Sequence, residues 1–415
     1  MKNNIINFIS NRFLYSKKSQ SLVNIISIIT SFSIALVMAV LVFIMSIFNG
    51  FQNLIESQYS TFYPDIKITC KNNFFQTQKI DFNTINPSYR FSKVIEQRAV
   101  LKNNKFESVV TVLGVDSNIF NVLDLDSSIL NLKTEKRSDV FVCSRLIADE
   151  FALQLGDMYN PCTTYFPNSD FTFSGLNSDE MFNVATSYPV SFFEKQSSLD
   201  AGFILMKESF VSNLISKKNK INAIYLKTSK KRNFSEILFG QSSFKKSKKL
   251  QRAKRKIQNK IGLDFKIETF FEQNQFLFKM IRIEKLAIYF LMSLVIILIS
   301  FIIIGNLIIL IVEKKNNIEV LKGIGFNSKQ IIQIFKKQGQ KLVLIGVIAG
   351  SFFGVFLVLL QQKIGFLKMG KGFIVDSYPV GINLTDLCVL FLIVISIGYF
   401  SVNLISKSYK KYIFN

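Results

Sequence analysis

The chain has 415 residues and a formal net charge of +23, with four cysteines and neither histidine nor tryptophan. The lack of histidine excludes Ser-His-Asp and Cys-His catalysis and any histidine-bearing metal site, and four cysteines without a C-x-x-C pair argue against structural zinc. The charge invites a nucleic-acid role, but the densest basic run, Lys227 to Lys260, carries few aromatics for base stacking; it reads as a solvated helix face, and no nucleic-acid partner is expected.

The first long apolar stretch lies between Lys18 and Glu56 and is most apolar from Leu22 to Phe48. It exceeds the ~7–15 residues of a signal-peptide core and lacks a clean A-x-A-like end, so a retained helix is expected. From about residue 50 to 283 the pattern is mixed. Strand-like runs at Asp65–Cys70, Ser108–Val115, Asp139–Cys143, Phe203–Met206 and Asn222–Lys227 alternate with helix-like segments at Leu146–Leu155, Glu208–Ser216 and Ser243–Ile261. Three more charge-free stretches follow: Leu286 to Val312, Leu342 to Gln362 and Leu387 to Ser406. Each of the four meets the ~20 residues needed to cross ~30 Å of hydrocarbon as a helix. The expected fold is an α-helical membrane protein with four transmembrane helices and a large α+β extracytoplasmic domain inserted between helices 1 and 2. Its parts are 1–50 (an N-terminal cytoplasmic segment and the first helix), 51–283 (the inserted domain) and 284–415 (the other three helices).

Lysine bias sets the orientation. Lys2, Arg12, Lys17 and Lys18 precede the first span. Seven lysines against Glu313 and Glu319 separate the second from the third, and Lys407, Lys410 and Lys411 follow the fourth. All three segments fall on one side, which is then the cytoplasm. The inserted region is also basic, but loops beyond ~60 residues translocate largely regardless of charge.

Few motifs carry chemistry. Gly365 to Gly372 fits G-x-x-x-x-G-K, yet Gly372 stands where a phosphate loop needs Ser or Thr, and the run follows a membrane span rather than a strand. A flexible basic loop is the better reading. The paired carboxylates Asp149/Glu150 and Asp179/Glu180 are adjacent in sequence, which points each pair apart. No active site is expected. A disulfide among Cys70, Cys143 and Cys162 stays open, with no pairing favoured.

The informative segment is 313–341, on the cytoplasmic side. Ile318, Leu321 and Ile324 recur at helical spacing in a short amphipathic helix that Gly325 can end in a left-handed conformation. Asn327 and Gln330 form a capping-box pair for a second helix, with Phe326 and Ile331 placed as a hydrophobic staple. Composition alone allows an interfacial lipid anchor or a docking helix for a cytoplasmic partner.

Here the chain resembles the lipoprotein-releasing-system permeases of the LolC/LolE type, within the ABC-transporter permease superfamily that also holds macrolide-exporter-like and cell-division permeases. The pattern E-K-K-x-x-I-x-V-L-K-x-x-G at Glu313–Gly325 carries the resemblance, with Lys329-Gln330-Ile331 and Phe335 after it. In chain order it is extended by Phe8, Arg12 and Leu14; Ser46 to Phe51; Pro64-Asp65-Ile66; Leu113 to Asp116; Leu155-Gly156-Asp157; Glu272-Gln273-Asn274; Ile283-Glu284-Lys285; and Tyr378-Pro379-Val380 with Asp386. The tail departs from the family pattern, with Phe400 to Asn403 and lysines in place of a Pro-Ala, arginine-rich ending. The resemblance implies a multi-pass protein of the bacterial inner membrane that dimerises with a second copy or a paralogue and recruits a cytoplasmic ATPase. ATP and Mg²⁺ would be bound by that ATPase, with no cofactor in this chain. Glu313, Lys314, Lys315, Ile318, Val320, Leu321, Lys322, Ile324 and Gly325 would couple to it, releasing a lipoprotein toward a periplasmic carrier. Two other roles share such a layout: export of peptides or amphiphilic drugs, and a non-transport signalling permease controlling a cell-wall hydrolase.

Overall fold

The computed structural model describes residues 6, 8–10, 22–59, 63–70, 74–76, 89–103, 106–123, 137–155, 160–168, 181–193, 202–217, 220–228, 243–262, 264–370 and 375–412. In chain order the elements are α1 (Leu22–Tyr59), β1 (Ile66–Cys70), β2 (Phe75–Gln76), β3 (Tyr89–Asn103), β4 (Phe106–Val115), α2 (Ile119–Val122), β5 (Val140–Ser144), α3 (Arg145–Glu150), β6 (Cys162–Pro167), β7 (Phe182–Phe193), β8 (Phe203–Lys207), α4 (Glu208–Leu214), β9 (Lys220–Ile221), β10 (Ala223–Thr228), α5 (Ser243–Ile261), β11 (Phe265–Thr269), α6 (Phe270–Gln273), α7 (Gln275–Glu313), α8 (Lys315–Gly323), α9 (Ser328–Ile364) and α10 (Leu384–Tyr412). They form two compact units, one from Met1–Asn53 and Lys279–Asn415, the other from Leu54–Ile237 and Gln241–Phe278.

In the first unit, α1, α7, α9 and α10 are each long and apolar enough to cross a membrane. Lipid tails are as apolar as leucine, so burial alone does not hold such helices together and close packing must. α9 supplies it with Gly346, Gly350 and Gly354, four residues apart on one face. A Cβ at Gly350 would lie 2.3 Å from the Ala35 carbonyl oxygen, one at Gly346 2.8 Å from Ile34 Cβ, and one at Gly354 2.8 Å from Val42 Cβ. The backbones of α1 and α9 therefore approach where only glycine fits. Gly339 lies against Leu307 and Val402, and Gly398 against Val343, which ties α7, α9 and α10 in the same manner. Large apolar side chains such as Phe32, Phe290, Phe301 and Phe352 stay exposed, as expected of helices that face hydrocarbon.

The second unit is built on a nine-stranded sheet in the order β11-β1-β10-β3-β4-β8-β5-β7-β6. The fifteen-residue β3 organises it. One edge of β3 pairs antiparallel with β4 from Val94 to Asn103. The other edge pairs first with β10, from Tyr89 to Val94, and then with β6, from Val100 to Lys102. The pairing with β6 closes β3-β4-β8-β5-β7-β6 into a ring of six strands and leaves β11-β1-β10 as an extension. Closure removes the exposed edges that invite aggregation. β4 and β8 run parallel, as do β5 and β7. Buried aliphatic and aromatic side chains, among them Ile68, Leu101, Phe141, Phe166 and Ile224, fill one core; Val94, Leu113, Val142, Leu205 and Tyr225 fill a second. α5 adds Leu250, Ala253 and Ile257 to the first.

The expected strands and helices of this domain are present; α5 has the expected bounds, and α3 and α4 are shorter. α3 stops at Glu150 instead of Leu155. Phe151 caps it, Ala152 turns left-handed at φ +50, and its amide and that of Leu153 donate to Asp149 and Ala148 carbonyls at 3.3 and 2.7 Å. α4 ends in the same way at Ser216, φ +55. Both are Schellman ends without the usual glycine. Cys70, Cys143 and Cys162 are free, and no disulfide joins any two of them. Burial raises the Cys143 thiol and pushes Cys162 up to about 12, which leaves neither a ready thiolate.

Candidate functional site

The segment between α7 and α9 is a compact helical corner. α7 ends at Glu313, and one residue, Lys314, bends the chain before α8, while the Ile318 amide still donates to the Lys314 carbonyl at 3.0 Å. α8 closes with a full Schellman motif: the Gly325 amide donates to Lys322 at 3.0 Å and the Phe326 amide to Leu321 at 3.1 Å. Gly325 has φ +94, which a residue with a Cβ would adopt only under strain. Asn327 then caps α9, its amide donating to Gln330 Oε1 at 2.9 Å. Phe326 packs on the same core, as the staple requires.

The expected stripe divides. Ile318 and Leu321 are only 4% and 8% exposed and belong to the chain's own cluster with Leu310, Ile311, Ile331, Ile334 and Phe335. They hold α8 against its neighbours and are not available to a partner. Ile324 lies on a different face, 71% exposed, one turn after Val320 at 60%. Reading Ile318, Leu321 and Ile324 as one outward stripe is therefore corrected. Ile324 keeps helical dihedrals, but each step of three falls about 60° short of a full turn, so Ile324 stands about 120° from Ile318 and close to the line of Val320. Val320 and Ile324 form the exposed apolar pair, with exposed Glu313, Lys315, Glu319 and Lys322 around them and half-buried Lys314 at the bend.

The motifs at the other end of the helices come together as well. Ser46 to Phe51 of α1 meets Tyr378-Pro379-Val380: the Gly381 amide donates to the Ser46 carbonyl at 2.8 Å, and Phe51 packs edge-on to Tyr378 at 6.0 Å. A Cβ on Gly50 would lie 2.2 Å from the Pro379 carbonyl oxygen, so glycine is required there. Gln361, which sequence reasoning missed, fastens the loop. Its Nε2 donates to the Leu367 and Tyr378 carbonyls at 3.0 and 3.2 Å, and its Oε1 accepts from the Leu367 amide at 2.9 Å. An amide inside the third apolar stretch was the signal that could have found it. Lys285 Nζ reaches Asp386 Oδ2 at 3.5 Å, joining α7 to α10. The would-be phosphate loop has no matching context: Gly365 ends α9 at φ +63, and Lys368 bridges Ser377 in a reversing turn. Lys371 and Gly372 lie outside the described residues, as do Gly156 and Asp157.

In the inserted domain the quoted motifs brace the two chain crossings to each other. β1 follows α1 and β11 precedes α7 through α6, and the two strands pair antiparallel from Ile66–Thr269 to Cys70–Phe265. Gln273 Nε2 donates to the Pro64 carbonyl at 3.2 Å, and the Phe270 amide to Asp65 O at 2.9 Å. The Asp65 carboxylate accepts from the Thr228 amide and hydroxyl at 3.0 and 2.8 Å. Glu272 accepts from Lys254 at 2.8 Å, Gln251 at 3.1 Å and the Thr269 amide at 2.8 Å. Burial raises its carboxyl, but the Lys254 ammonium and the other donors outweigh that and hold it below the usual range. Asp116 takes the Ser92 hydroxyl and the Lys93 and Asn118 amides. Every one of these carboxylates is occupied in structure, and no group of three or more metal-ligating side chains occurs among the described residues.

Residues 289–412 match the family described as FtsX-like permease C-terminal. Two similar relatives are the lipoprotein-releasing system transmembrane protein LolC of Buchnera aphidicola subsp. Schizaphis graminum, 24% identical over 92% of this chain and 90% of the relative, and LolE of Haemophilus influenzae, 24% identical over 91% and 90%. Among solved structures, the periplasmic region of MacB from Actinobacillus actinomycetemcomitans matches 55% of this chain and 97% of its own, at 14% identity and a TM-score of 0.32. With four membrane-length helices around the matched region, the chain is a multi-pass integral membrane protein whose residues 289–412 match an FtsX-like permease C-terminal domain and which is similar along most of its length to LolC and LolE.

Proposed function

We propose that this chain is the permease subunit of an ABC transporter at the bacterial inner membrane, driven by a separate cytoplasmic ATPase, and that it releases lipoproteins toward a periplasmic carrier. The observation that carries the reading is α8, a rigid corner between two membrane helices that presents Val320 and Ile324 to solvent. Similarity to lipoprotein-releasing relatives along nine-tenths of the chain supports the choice of cargo. ATP and Mg²⁺ belong to the ATPase, which seats α8; the residues of this chain transmit motion and do no bond chemistry. α7 is one helix of 39 residues, about 58 Å long at ~1.5 Å per residue. A displacement applied at Glu313 would be carried along α7, while inside the inserted domain β1 and β11 pair with each other. A second permease chain, identical or paralogous, completes the assembly.

The test is to purify the full chain with whatever ATPase accompanies it and to identify bound cargo by mass spectrometry. Acylated proteins are the expected cargo. Peptides or amphiphilic drugs in their place, or a cell-wall hydrolase with no cargo, would replace the reading. Orientation is checked with an impermeant thiol reagent, which should label Asn118→Cys and not Asn316→Cys from outside; the reverse result would invert the assignment.

A further inference from the structure

Helix α5 has a second face that nothing in the proposed function uses. Its nineteen residues contain no acid. The inner face is fixed to the sheet by Leu250, Ala253 and Ile257, all less than a tenth exposed. Two of its cations serve that anchoring: Lys246 lies over the Phe270 ring at 4.6 Å, and Lys254 pairs with Glu272 at 2.8 Å. Lys248, Arg252 and Arg255 stand on the opposite line at i, i+4 and i+7, flanked by Lys249 and Lys256, and all five are exposed. From Lys248 to Lys256 the row runs about 12 Å at ~1.5 Å per residue. No ion pair among the described residues uses Lys249, Arg252, Arg255 or Lys256. Anchoring the helix needed two or three cations and an apolar edge, so the density outside is surplus to folding.

We propose that this outer face of α5 is a docking surface for an anionic phospholipid membrane. The composition of the face selects the partner. Protein interfaces centre on desolvated aromatic or aliphatic anchors and are depleted in lysine, whereas among the described side chains from Lys246 onward the exposed positions of α5 are lysine, arginine and Asn259. A face of that kind gains from a fluid sheet of phosphates, which supplies charge without requiring a fixed complementary shape, at roughly a fivefold gain in affinity per basic side chain. Fixing the helix by its inner side keeps the cations presented together. The attraction is screened within about a Debye length, so it acts on contact and weakens with salt.

The full chain, embedded in nanodiscs of neutral phosphatidylcholine, is mixed with vesicles of phosphatidylcholine alone or with added phosphatidylglycerol, and vesicle capture is followed by flotation. Capture of the anionic vesicles only, lost at high salt, is expected. The triple reversal Arg252→Glu, Arg255→Glu, Lys256→Glu should weaken it roughly 100-fold with an unchanged melting temperature. The milder Arg252→Gln, Arg255→Gln pair should weaken it by about tenfold or more, while Arg252→Lys, Arg255→Lys retains it. Equal capture of neutral vesicles would overturn the proposal, as would undiminished capture by the reversal, which assigns it to other basic segments. So would loss of a co-purifying acidic protein in a reversal variant whose parent captures no anionic vesicles.

Discussion

The membrane unit and the inserted domain solve the same packing problem with opposite residues. Between α1 and α9 the contact is made by absence: Gly346, Gly350 and Gly354 let backbones meet at distances that no Cβ tolerates. In the inserted domain the contact is made by bulk, with Phe141, Phe166, Leu101 and their neighbours fully buried under a closed ring of strands. Water explains the difference. It drives apolar side chains together in the second unit, whereas in hydrocarbon only the quality of the fit is left.

The comparison breaks most sharply at Gly350. Gly350→Ala places a methyl 2.3 Å from Ala35 O and should cost about 3 kcal/mol, read as a lower melting temperature and loss of monodisperse protein after extraction. Gly305, also in a membrane helix, has nothing within 4 Å of an added methyl; Gly305→Ala should be neutral or gain up to about 1 kcal/mol. Equal effects at the two sites would contradict the close-approach account. Next in size is Leu321→Asp, which buries an unpaired carboxylate and should cost about 3 kcal/mol, whereas Ile324→Asp on the exposed face should leave thermal stability almost unchanged.

Smaller effects sharpen the picture of the inserted domain. Glu272 has its folded carboxyl lowered, so its contribution is present above its ordinary value of 4.5 and is lost as pH falls through the lower folded value. Thermal melts of wild type should weaken in that acid window more steeply than those of Glu272→Gln; parallel pH profiles would show that the Lys254–Glu272 pair is idle. Ala152→Gly relieves a left-handed alanine and should stabilise by about 1 kcal/mol or less, a gain visible in denaturant midpoints and absent if the turn is unstrained.

Much of this was legible in the residues because the membrane imposes length. Four charge-free stretches marked four helices, and Gly325, Asn327 and Gln330 marked where the corner after α8 turns. Legibility failed where tertiary context decides. The spacing of Ile318, Leu321 and Ile324 predicted one stripe, but two successive steps of three drift about 120° round a helix of ~3.6 residues per turn, which leaves Ile324 on the face of Val320. β3 was missed because its fifteen residues include Arg90, Lys93, Glu96 and Arg98, whose outward charges hide the alternation of a strand shared by three partners. Ring closure by β6 is a pairing across about sixty residues, and no local pattern encodes it.

The central claim is that α8 is held from within by Ile318 and Leu321 and couples outward through Val320 and Ile324. The most direct measurement is the co-purification and ATP-hydrolysis coupling of the full chain carrying Val320→Asp and Ile324→Asp. Each introduced carboxylate would have to be desolvated in the ATPase groove without a partner. The account predicts an unchanged melting temperature with the ATPase lost or its hydrolysis uncoupled from cargo release; wild-type recruitment and coupling in that variant would contradict it.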